Sequence, residues 1–394
     1  MSVATRPRYA VVVHLYGEGR FGGASTLAAA IARCLGTVAD VDVLTTCAQN
    51  YMTWQNVYAA GHSLVEGVHV RRFPVDNRRN VGNFNRLSRQ LLATANPSEE
   101  MQETWMRAQG PVSGELLGYL ETFGKRYDAV LFFSYLYADT YYGLPLVEDR
   151  AFLFPLAHDE WPLRLSIWDR FFARPHGFFF NSPEEREFLR SRFPSLDLEG
   201  PIAGLGIEVP ANIEPNRFRE QANLREPFLL YVGRVDPSKG CDNLIEDFAR
   251  YRAGGGRYRN LVLIGDIHMP LRPVAGVHVI GPVDEQTKWN ALAASEVLVM
   301  PSRYESLSIA VLEAWALEKP VLVNALSPAL VGQCRRARAG LWYANSDEFS
   351  VTLDTFEKPL AQRLGAEGRA FVAANYTWPR VMSVLQSRLS GARG

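Results

Sequence analysis

Glu296–Leu326 reads EVLVMPSRYESLSIAVLEAWALEKPVLVNAL: a β-branched run, a turn, an apolar helical pattern and a second β-branched run in one unbroken stretch. Strand, helix and strand in that order are βα units in series, and such units build a mainly parallel sheet. The alternation continues upstream through FLLYVGRV, the helical pattern CDNLIEDFARYR, NLVLIGD, VHVIGPV and the helical pattern EQTKWNALAAS. The first half repeats it, with YAVVVHLY, VDVLTT, VHVRRF, DAVLFFS, AFLFPLA and GFFFNS as strand candidates. GFFFNS runs into NSPEEREFLR, where Ser182 caps a helix, Pro183 fits its first turn, and Glu184 and Glu185 favour the positive helix end.

A chain of 394 residues exceeds what one hydrophobic core supports, so two domains are expected. The stretch Gly200–Glu226, rich in proline, glycine and polar residues and without clear periodicity, reads as their connection. The 47% hydrophobic and 21% charged content is that of a soluble globular protein, and 42 basic residues balance 42 acidic ones, which leaves no global field to attract nucleic acid. Cys34, Cys47, Cys241 and Cys334 lie far apart, which argues against a disulfide framework or a zinc site and fits a reducing cytoplasm. The amino-terminal MSVATRPRYAVVVHLYG has too short an apolar run for a signal segment, and no stretch approaches the ~20 apolar residues of a membrane span.

Within Tyr9–Ser25, YAVVVHLYGEGRFGGAS, the residues Gly17, Gly19 and Gly22 stand at the spacing of a dinucleotide fingerprint. Three readings are open. A nicotinamide or flavin site needs an acid near the end of the next strand, and Asp40 and Asp42 are close to that place. A plain tight turn needs glycine as well. In the third, Gly22 and Gly23 lie beside a diphosphate, with the helix from about Ala24 directing its amino end at the negative charge. The pair Asp40 and Asp42 lies within a strand and is read as structural, not as a metal-binding Asp-x-Asp.

Partner residues in the second half favour the third reading. VGRVDPSKG places Gly233 and Arg234 at the end of a strand and Lys239 just before a helix, so two cations aim at one point above the sheet, as a diphosphate requires. Only five of the 42 basic residues are lysine, so a lysine here is not background composition. Glu305 falls in the loop after EVLVMPS, placed to grip a sugar. Ser306, Leu307 and Ser308 are expected to open the next helix and expose unpaired backbone N–H groups. Glu313 stands two turns into that helix between Val311, Leu312, Ala314 and Trp315, where its carboxylate can accept the hydroxyls of a ribose. A buried acid needs such a reason.

The Gly-Arg…Lys-Gly loop, the Pro-Ser before the first glutamate and the Glu-x7-Glu spacing resemble the retaining GT-B glycosyltransferases of the GT4 family, over nearly the whole chain. LAHDEWP resembles that family's Val-His-Asp segment, which carries His158 onto the position facing the donor sugar. GFFFNS resembles the strand before its Asn-Ser cap, and YTWPRVMSVLQSRL looks like the carboxyl-terminal helix that crosses back onto the first domain. The resemblance implies an α/β GT-B architecture of two Rossmann-like domains facing across a cleft: 1–208 with the helix 376–394 for the acceptor, 209–375 for the donor. It implies transfer of a hexose-type sugar, with retention, from a UDP- or GDP-sugar or similar nucleotide diphosphate sugar to a hydroxyl of a glycan, lipid-linked or small-molecule acceptor. Val283 would then meet the nucleobase, and Arg234 and Lys239 would neutralise the leaving diphosphate with neither cofactor nor metal. The family's Glu-Gly-Phe-Gly is replaced by Glu305-Ser306-Leu307-Ser308, and its glycine before Pro320 by Glu318 or Lys319, so side chains are expected to intrude near the sugar.

On the acceptor side, RRFPVDNRRNVGNFNRLSRQLL offers Arg78, Arg79, Arg86 and Arg89 to an acceptor phosphate or an anionic lipid surface, against the plain alternative of a solvated loop and helix face. ETWMRAQGPVSGELL, with Trp105, Gln109 and Gly110, is a second candidate lining. The expected location is the cytoplasm, with a peripheral contact at the inner face of the membrane as a variant. Three other classes stay open: a nicotinamide-dependent oxidoreductase, which leaves Arg234, Lys239, Glu305 and Glu313 unexplained, a non-catalytic nucleotide-sugar-binding protein, and a sugar-nucleotide epimerase.

Overall fold

The computed structural model describes residues 6–17 and 22–390. Gly19 of the fingerprint and the last four residues of the expected 376–394 helix lie outside them. The chain divides into two compact units, Met1–Leu205 with Val381–Gly394, and Gly206–Arg380.

The first unit is built on β1 (Arg8–Val12), β2 (Asp40–Thr46), β3 (Gly61–Val65), β4 (Val68–Phe73), β5 (Ala129–Phe133), β6 (Ala151–Phe154) and β7 (Gly177–Phe178), in the order β3-β4-β2-β1-β5-β6-β7. Every neighbouring pair is parallel except β3 with β4. AVLFF of β5 and AFLF of β6 are buried along their whole length, the mark of parallel strands covered on both faces. One cover is the helix Gly23–Gly36, which buries Leu27, Ala28, Ile31 and Leu35 at helical spacing.

The second unit has β8 (Phe228–Val232), β9 (Asn260–Ile264), β10 (Val277–Gly281), β11 (Val297–Met300), β12 (Val321–Asn324) and β13 (Leu341–Tyr343), all parallel, in the order β10-β9-β8-β11-β12-β13. Trp315 fills its core, with Nε1 donating to the Ala339 carbonyl. One expectation changes here. The stretch read as an irregular connection holds a helix, Pro215–Gln221, started by its proline and anchored by buried Phe218; seven residues are too few to show periodicity. The helix Trp378–Ser390 passes from the second unit into the first, where Val381, Leu385 and Leu389 form a buried stripe.

Trp105 is corrected as well. It is 1% exposed in the core of the first unit, its Nε1 bonded to the Ser88 hydroxyl at 2.9 Å and its ring against Phe84 and Trp161, so it lines no surface.

Candidate functional site

Where the strand order of a parallel sheet reverses, the loops at the strands' carboxyl ends part and leave a crevice for ligands. In the second unit that place lies between β8 and β11, which are paired through Leu229 with Val297 and Leu230 with Leu298. After β8 come Gly233, Arg234 and the single 3-10 turn Pro237–Lys239. The turn is fixed by its own residues. Asp236 accepts the Lys239 N–H at 3.0 Å and the Ser238 hydroxyl, Pro237 takes the first position, and Gly240 closes it at φ 74°. A Cβ at position 240 would stand 2.7 Å from the Pro301 carbonyl oxygen, so the loops after β8 and β11 touch where only glycine fits.

That contact brings Lys239 Nζ to 2.7 Å from Glu305 Oε1, with the two side chains 24% and 14% exposed. Arg234 Nε lies 3.4 Å from Asp236 Oδ2. The Arg234 carbonyl oxygen accepts the Tyr231 hydroxyl at 2.7 Å and the Cys241 thiol at 3.6 Å. Burial pushes the thiol up to about 11 and the phenol well above its ordinary value, so both remain proton donors. Both expected cations and the first glutamate thus meet at one strand reversal, each cation held by a carboxylate that an incoming anion can replace.

Glu313 is buried, as its neighbours in sequence imply, but the fold itself supplies a partner. Lys288 Nζ, from the helix Glu285–Ala294, lies 2.5 Å from Glu313 Oε1 and 2.8 Å from Glu285 Oε2. The helix after β11 starts at Ile309, with Ser308 as its cap accepting the Val311 N–H. The Ser308 N–H is not free as expected, because it donates to Gln333 Oε1 at 3.2 Å. The N–H groups of Ile309 and Ala310 in the first turn have no acceptor among the described residues. Ser306 and Leu307 stand beside them, Leu307 partly packed on the core. Val283, half-buried, follows β10 just before Asp284 caps the next helix. Glu318 and Lys319 lie at the other end of the sheet, before β12. Lys319 Nζ donates to Ser295 O, and Glu318, in the left-handed region at φ 58°, pairs with Arg369. They do not intrude on this rim, and their expected place near the sugar is corrected.

In the first unit the reversal lies between β1 and β5. Gly22, at φ 89°, caps the helix Gly23–Gly36, and a Cβ on Gly22 or Gly23 would meet nothing within 4 Å. Asp40 and Asp42 stand at the amino end of β2, away from this rim. Asp42 Oδ2 accepts from Arg8 Nη2 at 2.8 Å and from the Tyr127 hydroxyl at 2.9 Å, and Asp40 lies 3.6 Å from Arg6 Nε. β2 ends instead in Thr45 and Thr46, so the acid a dinucleotide ribose needs is missing from its place.

The rim also carries His14 and Asp139, which the sequence did not single out. His14 is fully buried, its ring 3.8 Å from that of Tyr137; burial, then the Arg79 charge, lowers its pKa to about 3 and keeps it neutral. Asp139 is buried, and burial pushes it up to about 7 against the pull of the backbone N–H groups at 139 and 140. Arg79 is no solvated loop residue: its guanidinium sits over the Trp54 and Phe84 rings and donates to Gln109 O and Oε1, and burial lowers it to about 10. Arg78 is exposed. His158 follows β6, partly exposed, with Nδ1 3.7 Å from Glu160 Oε1.

Two Rossmann-like units with a helix returning to the first define the GT-B architecture. Sucrose-phosphate synthase from Thermosynechococcus elongatus has the same fold, with a TM-score of 0.70 at 18% identity over 98% of this chain and 100% of that one. So has HepE of Anabaena in complex with UDP-glucose, with a TM-score of 0.68 at 13% identity over 98% and 99%. Residues 212–370 match the family described as glycosyl transferases group 1. Among curated proteins, a D-inositol 3-phosphate glycosyltransferase of Gordonia bronchialis is 30% identical over 50% of this chain and 47% of its own. A GDP-mannose-dependent monoacylated alpha-(1-6)-phosphatidylinositol monomannoside mannosyltransferase of Corynebacterium glutamicum is 28% identical over 41% and 47%. The match thus spans about half the length of each of these relatives.

Proposed function

We propose that the protein transfers a hexose-type sugar, with retention of configuration, from a nucleotide diphosphate sugar to an acceptor hydroxyl. The observation that carries this is the meeting of Arg234, Lys239 and Glu305 at the strand reversal of a group 1 domain. The diphosphate would replace Glu305 and Asp236 as the partner of the two cations, which then neutralise it as it leaves. Released from Lys239, Glu305 would hold sugar hydroxyls. The N–H groups of Ile309 and Ala310 would face phosphate oxygens at the helix amino end. Glu313, aligned by Lys288, would take the ribose, and Val283 the base. His158 would face the sugar, and the leaving phosphate oxygen would accept the acceptor's proton on the same face. In this scheme charge neutralisation rests on side chains and involves no metal.

The names of the two relatives, one a GDP-mannose-dependent phosphatidylinositol monomannoside mannosyltransferase and the other a D-inositol 3-phosphate glycosyltransferase, and the complex of HepE with UDP-glucose support a nucleotide sugar donor. The acceptor would be a glycan, lipid-linked or small molecule. No helix among the described residues is long and apolar enough to cross a membrane. A peripheral contact with anionic lipid is favoured by the helix Val81–Ala93, which has no acidic residue and exposes Arg86, Arg89 and Leu92.

A thermal-shift panel of UDP-, GDP-, ADP- and TDP-sugars tests the donor. A ligand at 100 times its Kd stabilises by about 2.7 kcal/mol. One nucleotide should raise Tm in the wild type and much less in Lys239→Ala. A shift with nicotinamide dinucleotides and none with any nucleotide sugar would overturn the proposal.

A further inference from the structure

The segment Leu156–Glu160 that presents His158 is held by two carboxylates, one from elsewhere in the first unit's fold and one from its own end. Ser182-Pro183-Glu184-Glu185 has the form of a capping box, in which the last glutamate bonds back to the cap residue's own N–H. Here the hydroxyl half is normal, with Ser182 Oγ accepting the Glu185 N–H at 3.1 Å. The carboxylate half is diverted. Glu185 Oε1 accepts the Ala157 N–H at 2.8 Å and Oε2 the Asn181 N–H at 2.7 Å. The side chain is therefore divided between the residue before His158 and the residue before its own helix's cap.

This arrangement has a cost that a plain cap avoids. Glu185 is 2% exposed, and burial raises its pKa to about 7 even against the backbone N–H bonds that pull it down. The residue it helps to fix, Leu156, is in the left-handed region at φ 55°, a conformation that disfavours a side chain by roughly 1–2 kcal/mol. Glu160 acts on the other side of the histidine. Its Oε1 accepts the hydroxyl of fully buried Tyr135 at 2.8 Å and lies 3.7 Å from His158 Nδ1. Tyr135 is locked edge-on against Trp168, with centroids 4.8 Å apart, so the carboxylate has a fixed address beside the imidazole. The neighbouring charges Asp159 and Arg164 pair with each other at 3.6 Å.

We infer that Glu185 and Glu160 are positioning residues for His158, Glu185 setting the backbone that leads into it and Glu160 orienting its ring. The inference rests on the proposal that His158 faces the donor sugar, and its test separates the two. With histidine labelled in the full chain, the His158 ring resonances, identified by their loss in His158→Gln, are followed against pH. In Glu160→Gln the protonation midpoint should fall, because a negative neighbour has been removed; an unchanged midpoint overturns the ring contact whether or not a substrate is known.

Turnover of UDP-glucose or GDP-mannose, read as release of the nucleotide diphosphate, tests the consequence. Glu160→Gln and Glu185→Gln should each lower kcat about tenfold with donor KM nearly unchanged, and each should have little effect in a His158→Ala background. Equal losses in both backgrounds would make the two glutamates structural only and overturn the inference. If Glu185→Gln does not fold, Glu160→Gln carries the kinetic test alone. Wild-type turnover in His158→Ala would instead remove the assigned role of His158, while the ring titration would still decide whether Glu160 holds it.

Discussion

The rims of the two sheets solve the problem of placing charge in opposite ways. At the second unit's reversal Lys239, Glu305 and Arg234 are partly open and stand in ion pairs, Lys239 with Glu305 and Arg234 with buried Asp236. At the first unit's rim the titratable groups are sunk into the fold and shifted by burial: His14 kept neutral, Asp139 raised toward its uncharged form, Glu185 resting on backbone N–H groups. Paired and accessible charges can exchange partners with an arriving anion. Sunken ones shape and stiffen what surrounds them.

The comparison can be broken by experiment. The largest effect is expected at Glu313→Ala, which leaves Lys288 buried with only the exposed end of Glu285 nearby; breaking a buried pair costs about 3–5 kcal/mol. Calorimetry should show Tm falling by roughly 6–20 °C, and donor KM should rise. A Lys288→Met, Glu313→Leu double variant should recover stability but not KM, and recovery of both would deny Glu313 a part in binding.

Lys239→Ala comes next. If its charge meets the leaving diphosphate, single-turnover rates should fall by about 10² to 10³, with Tm close to wild type because the ion pair is partly open. A loss of less than threefold would place Lys239 outside the chemistry.

Asp139 tests the sunken rim. Its pKa is raised on folding from 3.8 to about 7, so its contribution to stability is complete below about pH 4 and is lost as the pH rises to 7 and beyond. Asp139→Asn should therefore be more stable than wild type at pH 8, by on the order of 1–3 kcal/mol, and the advantage should shrink toward pH 5. A pH-independent difference would mean that Asp139 does not titrate in this range. The smallest effect is expected at exposed Arg78, where Arg78→Ala should change stability by less than about 0.5 kcal/mol. Any loss of binding to anionic vesicles should diminish further with added salt, which vesicle sedimentation can measure.

The two rims also differ in how far the sequence reveals them. VGRVDPSKG and MPSRYESLSIAVLEAW are compact, and each puts a strand end, a turn and a helix start into about a dozen residues, so the residue pattern alone places Arg234, Lys239, Glu305 and Glu313. Lys288 escapes such a reading, because its link to Glu313 joins two helices with nothing between them in sequence to show it. Asp236 carries a local signal, an acid before Pro-Ser at a turn. In the first unit, Trp105 and Arg79 look like surface residues because their segments are polar, whereas Trp105 faces inward on the helix Glu99–Gln109 and Arg79 lies over the Trp54 and Phe84 rings. β3 escapes notice because GHSLV is an edge strand with four exposed residues and no buried alternation, and β13 because LWY is too short. Asp40 and Asp42 sit at a tempting distance from the glycines, but chain distance does not tell which end of a strand an acid occupies.

The helix Trp378–Ser390 has a consequence for how the protein comes into being. Val381, Leu385 and Leu389 belong to a hydrophobic interior whose other walls were all synthesised before residue 206. Domains ordinarily fold as they leave the ribosome, amino end first. Here the earlier unit stays incomplete while the whole of Gly206–Arg380 is made, and it gains its closing helix only once residues 381–390 have followed.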